Sequence, residues 1–78
     1  ESVSLRSKNH AHAVTLTCKD WPWFGIWSKK GPHPFVCLEP WIGITDPENS
    51  RGQLKEKPGI MALAAGEAFS CSFGLSFL

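Results

Sequence analysis

"FSCSFGLSF", residues 69–77, decides the fold class. Phe69, Cys71, Phe73, Leu75 and Phe77 alternate strictly with Ser70, Ser72, Gly74 and Ser76. Successive side chains of a strand point to opposite faces, so a period of two collects the apolar residues on one face. That face is largely aromatic and is expected to turn inward; the small, polar face meets water or another sheet layer. Just upstream, "ALAAGEAF" (residues 62–69) contains a turn at Ala65-Gly66-Glu67.

The same period appears at the other end of the chain. Val3 and Leu5 alternate with Ser2, Ser4 and Arg6 as far as Ser7. "SKNHAH" (7–12) is mostly polar, as in a turn. Val14, Leu16 and Cys18 then alternate with Ala13, Thr15 and Thr17, so the two runs predict a hairpin. In "KDWPWFGIW" (19–27), Pro22 and Gly25 break any long strand, and Pro22 holds Trp21 extended or in a turn. Trp23, Phe24, Ile26 and Trp27 are too apolar for a solvated loop. "SKKGPHP" (28–34) is a polar turn. Residues 35–39 form a nearly continuous apolar run, the pattern of a strand buried on both faces. "GITDPENSRGQLKEKPGI" (43–60) is a loop, with one helical turn after Asp46-Pro47, where Asp suits an N-cap and Pro the first helical position.

The chain is therefore all-β, with about five strands, no helix of useful length and no internal repeat. An antiparallel sandwich or barrel-like sheet is the natural architecture. Unpaired strand edges invite pairing, so further chain or a partner chain is expected to cover them.

Composition narrows the function classes. With 78 residues the chain holds one domain at most, and a domain of this size buries only about 60–65% of its unfolded surface. Eight Lys and Arg face seven Asp and Glu, a formal net charge of +1. That is no nucleic-acid footprint; Lys29-Lys30 and Lys55 to Lys57 suit solvated loops. No apolar stretch approaches the roughly 20 residues of a membrane span, and no signal-peptide pattern stands at the start. Three widely spaced cysteines, Cys18, Cys37 and Cys71, argue against a disulfide set or a zinc knuckle. They suit small buried hydrophobes, reduced in a cytoplasmic compartment. Alternation begins within two residues of Glu1 and runs to Leu78, as in a segment from the C-terminal part of something longer; a processed or redesigned N-terminus is the alternative.

One ionisable group stands out. "PFVCLEPWIG" (34–43) places Glu39 inside an otherwise apolar run. A carboxylate in such surroundings is costly unless paired, protonated or used. Pairing with Lys29, Lys30 or Arg51 is the structural reading. The functional one is a general base held against Trp41, its direction fixed by Pro40. Trp27 and Trp41 flank the Glu39 region, and an indole face stacks well on a sugar ring. Trp21 and Trp23 are read as core. His10 and His12 could make a metal pair, but no third ligand is evident and a solvated turn is the simpler reading. His33, between two prolines, is read as a loop residue.

"FGIWSK" (24–29) followed by "PFVCLEPWIGITD" (34–46) resembles the aldose 1-epimerase (galactose mutarotase) family, in its bacterial mutarotase-related, LacX-like branch. "EKPGI" (56–60) and "LAAGEAFSCSFGLSF" (63–77) match in order and spacing as well, near the end of that family's chain. The resemblance implies the C-terminal portion of a large antiparallel β-supersandwich that interconverts the α and β anomers of an aldose. It implies that Glu39 is the general base and that the partners are a small-molecule sugar and the remainder of the same fold. No metal or organic cofactor is implied, since one base and one acid suffice. Asp46, in the matching stretch, joins Trp27 and Trp41 as a substrate-binding candidate, although spacing alone does not bring Asp46 or Lys57 to the pocket. The family's acid is a histidine well upstream, and its motif is absent here, so that role does not pass to His10, His12 or His33. The expectation is a segment that is inactive by itself. A non-catalytic carbohydrate-binding β module and a purely structural β segment are the competing readings.

Overall fold

Alternation at the two ends of the chain brings those ends together in one sheet. The computed structural model describes residues 1–32 and 34–78. It contains five strands: β1 (Ser2–Arg6), β2 (Ala13–Thr17), β3 (Trp23–Trp27), β4 (Cys37–Trp41) and β5 (Gly74–Phe77). β1, β2 and β5 form an antiparallel sheet in that spatial order; β3 and β4 form a second, two-stranded antiparallel sheet. The all-β expectation with about five strands holds. The only helical piece among the described residues is a 3₁₀ turn at Leu54–Glu56.

In the first sheet Val3 pairs with Leu16 and Leu16 with Leu75, while Leu5 pairs with Val14 and Val14 with Phe77. Directly paired residues share a face, so these six apolar side chains stand together. Ser4 and Thr15 pair on the opposite face, where their hydroxyls lie 2.8 Å apart. The β1–β2 hairpin is thus as the alternation predicts. Asp20, at φ 65°, turns the chain out of β2, a conformation Asp tolerates better than most residues.

Burial departs from expectation. The buried hydrophobic residues among those described are Ala13, Leu16 and Cys18. Phe69, Phe73, Leu75 and Phe77 are between 46% and 72% exposed. Leu75 and Phe77, within β5, share a face as expected, yet that face is not turned inward, because nothing in the described residues covers it; Phe69, Cys71 and Phe73 lie outside any strand. Only Gly74–Phe77 of the run pairs as a strand. The substantial strand contacts run within each sheet. The radius of gyration is 16.7 Å, where a compact domain of this length would have about 11–12 Å.

Three local expectations are corrected. The strand read at residues 35–39 runs Cys37–Trp41 and is half-buried, with Phe35 and Val36 exposed ahead of it. Its register is set by pairing with β3. Pro40 is accommodated because β4 has one neighbour and an open edge, where a residue lacking an N–H is tolerated. Pro22 ends just ahead of β3 as expected, but Gly25 sits within that strand. The helical turn falls at Leu54–Glu56; after Asp46 there is instead a tight turn in which Ser50 N donates to the Pro47 carbonyl at 3.0 Å. The turn at Ala65-Gly66-Glu67 is present. Glu67 N donates to the Ala64 carbonyl at 3.0 Å, and Gly66 supplies the positive φ, 83°, that a type II turn needs at its third position.

Candidate functional site

The β3–β4 hairpin builds the site through its register. Trp23 pairs with Trp41, Gly25 with Glu39, and Trp27 with Cys37. These six residues share one face; Phe24, Ile26, Leu38 and Pro40 take the other. Glu39 therefore stands on a sheet face with Trp23, Trp27 and Trp41. Opposite it is a glycine, so no side chain from β3 crowds the carboxylate. Trp27, largely exposed, leans on Phe35 with ring centroids 5.6 Å apart.

Glu39 is half-buried. Trp41 Nε1–H donates to Glu39 Oε2 at 3.1 Å. Residues two apart on a strand point the same way, which lets the indole reach the carboxylate. Among the described residues no cation pairs with Glu39; Arg51 pairs with Glu56 at 3.2 Å and Lys57 with Asp46 at 3.5 Å. The ion-pair reading of Glu39 is not what the structure shows. The second carboxylate oxygen has no protein partner among the described residues.

Asp46 and Lys57 close a loop at the edge of this hairpin, and their ion pair joins the ends of a compact surface loop. An open hollow of about 380 Å³ lies there, lined by Trp41, Gly43, Ile44, Thr45 and Lys57. Trp41 is shared: its Nε1–H holds Glu39 and its ring borders the hollow. Lys57 is in that lining; Asp46 and Glu39 are not, and Asp46 is linked to it only by its ion pair with Lys57. Gly59, at φ 78°, rests against Trp23, leaving no room there for a Cβ.

Other candidates lie elsewhere. A groove of about 580 Å³ beside His10 and His12 belongs to the three-stranded sheet and does not include Glu39. His12 N donates to His10 Nδ1 at 3.1 Å, and His12 Nδ1 lies 3.1 Å from the Leu78 carbonyl, so the pair is engaged in local turn bonding. No group of three or more His, Cys, Asp or Glu side chains among the described residues could hold a metal ion. His33 lies outside the described residues. The cysteines are unpaired: Cys18 is buried, Cys37 half-buried and Cys71 exposed. The expectation of three buried thiols therefore holds fully for Cys18 alone. No described helix is long and apolar enough to cross a membrane.

The chain is similar to two curated proteins of Lactococcus lactis subsp. lactis, the chromosomal and the plasmid forms of Protein LacX. Each is 27% identical over 77 residues, which is 99% of this chain and 26% of the relative. The chain thus spans about a quarter of the length of these relatives. No family model matches it, and no solved structure matches it significantly.

Sequence reasoning singled out Glu39, Trp27, Trp41 and Asp46, and the structure brings Glu39 and Trp41 into contact. It missed Gly25 and Gly59, each of which seats a tryptophan. For Gly25 the available signal was a lone glycine inside the apolar run "WFGIW", which marks a close approach rather than a break. Trp23, read as core, is half-buried on the Glu39 face.

Proposed function

We propose that these residues are the base-bearing C-terminal portion of an aldose 1-epimerase-like protein, with Glu39 as general base. One observation carries the reading. Glu39 is a half-buried carboxylate without a cationic partner among the described residues, set on a face of three tryptophans and held through one oxygen by an indole N–H. The other oxygen is left to meet a proton donor. The similarity to the LacX proteins along 99% of the chain supports the same reading.

In this mechanism Glu39 takes the proton of the sugar's anomeric hydroxyl while an acid protonates the ring oxygen. The bond between C1 and the ring oxygen breaks and a carbonyl forms at C1. Rotation about C1–C2 and reclosure return both protons and invert the anomeric centre. Trp27 and Trp41 offer exposed indole faces to the sugar's C–H surface. Asp46, held by Lys57 beside Trp41, orients a hydroxyl at the hollow. The acid belongs to the remainder of the fold, so the 78 residues are inactive alone. A cytoplasmic location is part of the same proposal.

Polarimetry of a freshly dissolved aldose anomer tests this. The 78-residue chain gives the buffer rate. In a polypeptide that carries these residues together with the acid-bearing part, turnover appears, and Glu39→Gln lowers it by about 10²–10⁴-fold with sugar binding retained. Turnover unchanged by Glu39→Gln removes the enzyme reading. The exposure of Trp27 and Trp41 favours a second one, a carbohydrate-binding module without catalysis. Sugar titration monitored by tryptophan fluorescence then saturates equally in the native and Glu39→Gln chains. A flat response at high millimolar sugar leaves a structural segment.

A further inference from the structure

Gly25 has no conformational reason to be glycine. It lies mid-strand, and its φ is outside the left-handed region. Glycine in a strand interior weakens the strand, so a packing reason is expected. The structure supplies one. A Cβ added at Gly25 would lie 2.7 Å from Trp41 Cζ2, 3.1 Å from Cε2 and 3.2 Å from Cη2. The benzene half of the indole occupies the space a side chain would take. Gly25 is also the residue paired directly with Glu39. The ring that fills the gap opposite Glu39 is thus the ring whose Nε1–H bonds Glu39 Oε2 at 3.1 Å.

We propose that Gly25 and Trp41 are positioning residues for Glu39: the glycine leaves a flat seat that the indole occupies, and the N–H of the seated ring holds the carboxylate in one orientation. The device comes from the hairpin alone. Gly25 is on β3, Glu39 and Trp41 are on β4, and the antiparallel register brings them together. An exposed carboxylate on a flexible side chain samples several rotamers; one with an oxygen tied to a clamped ring keeps its free oxygen aimed one way. As positioning for a base, the proposal rests on the reading of Glu39 given above. The seat and the hydrogen bond themselves do not, and they can be measured separately.

The test is the indole N–H signals of the ¹⁵N-labelled 78-residue chain, followed by NMR through the acid range. The Trp41 signal, identified by its loss in Trp41→Phe, is expected to shift with a single carboxylate titration. Glu39→Gln abolishes that shift. Gly25→Ala abolishes it too, while backbone signals across the β3–β4 ladder persist. A Trp41 signal indifferent to Glu39→Gln overturns the hydrogen bond, and a titration that survives Gly25→Ala overturns the seat. Should Gly25→Ala lose the ladder, Gly25→Ser and Trp41→Phe carry the decision. Ser is again expected to displace the ring; Phe keeps the ring on its seat and removes only the N–H. In the polypeptide that carries the acid, Trp41→Phe is expected to lower kcat about tenfold or more and to change the pH profile, with KM moving less. If Glu39→Gln is inactive while Trp41→Phe and Gly25→Ala keep full kcat, Glu39 remains a base and positioning is refuted. If none of the three affects turnover but the NMR behaves as expected, the positioning device stands and the enzyme reading fails.

Discussion

Trp21 donates its indole Nε1–H to the Ser72 carbonyl oxygen at 2.8 Å, and its ring meets Phe73 edge-on with centroids 6.2 Å apart. This contact ties the segment entering β3 to the segment entering β5. Residues 69–73 pair with no strand, so the bond is one of the few fixed points they have. Trp21→Phe keeps most of the ring and removes the donor. A typical hydrogen bond contributes about 0.5–1.5 kcal/mol net, and a partly exposed one falls at the lower end. Amide hydrogen exchange over 69–73 is expected to speed up several-fold, with β1–β2 unaffected.

Gly52 and Gly59 form a matched pair. Both have φ 78°, but a Cβ at Gly52 meets open space and one at Gly59 meets Trp23. Gly52→Ala is expected to cost only the left-handed penalty, about 1–2 kcal/mol. Gly59→Ala adds an overpacking cost, typically about 1–3 kcal/mol. Urea midpoints of the two variants separate the terms, and only Gly59→Ala should shift tryptophan emission.

Two ion pairs invite opposite treatment. Arg51–Glu56 is exposed on both sides, with side chains at 79% and 57%. Arg51→Ala should leave stability within about 0.5 kcal/mol. In Asp46–Lys57 the lysine side chain is 29% exposed and packs beside Trp41. A double-mutant cycle on that pair is expected to give a coupling up to about 1 kcal/mol, falling as salt is raised. Lys57→Met should also alter fluorescence at the hollow.

Leu16 and Phe77 share the apolar face of the first sheet, yet their substitutions should differ sharply. Leu16 is 4% exposed and Phe77 72%. Leu16→Ala is expected to cost about 2–5 kcal/mol. Phe77→Ala should change stability by about 0.5 kcal/mol or less, but lower the binding of a hydrophobic dye, since it removes exposed apolar area. Thermal melts and dye fluorescence on the same samples check both halves.

The contrast between those two residues shows what was legible in the sequence. Alternation groups Leu16 with Val14 and Phe77 with Leu75, and only the β2–β5 register puts the two groups on one face. Alternation does not say what lies over that face, because coverage depends on contacts that no local period encodes. The ends of β4 were similarly hidden. Apolar character alone placed the strand two residues early, whereas pairing with Trp23–Trp27 set it at Cys37–Trp41, Pro40 included. Glu39 was visible as a charge among apolar residues. Its hold on Trp41 follows from their two-residue spacing, but the seat on Gly25 required knowing which strand lay opposite.

The two sheets differ in how far apart along the chain their strands originate. β3 and β4 are separated by residues 28–36, nine in all, while β2 and β5 are separated by residues 18–73, fifty-six in all. By the logarithmic law, closing the longer span costs about 1.6 kcal/mol more in chain entropy. During synthesis, Gly25, Glu39 and Trp41 can meet before the strand that completes the other sheet has left the ribosome. The carboxylate and its indole are a locally encoded unit, assembled from neighbouring stretches of chain rather than across its whole length.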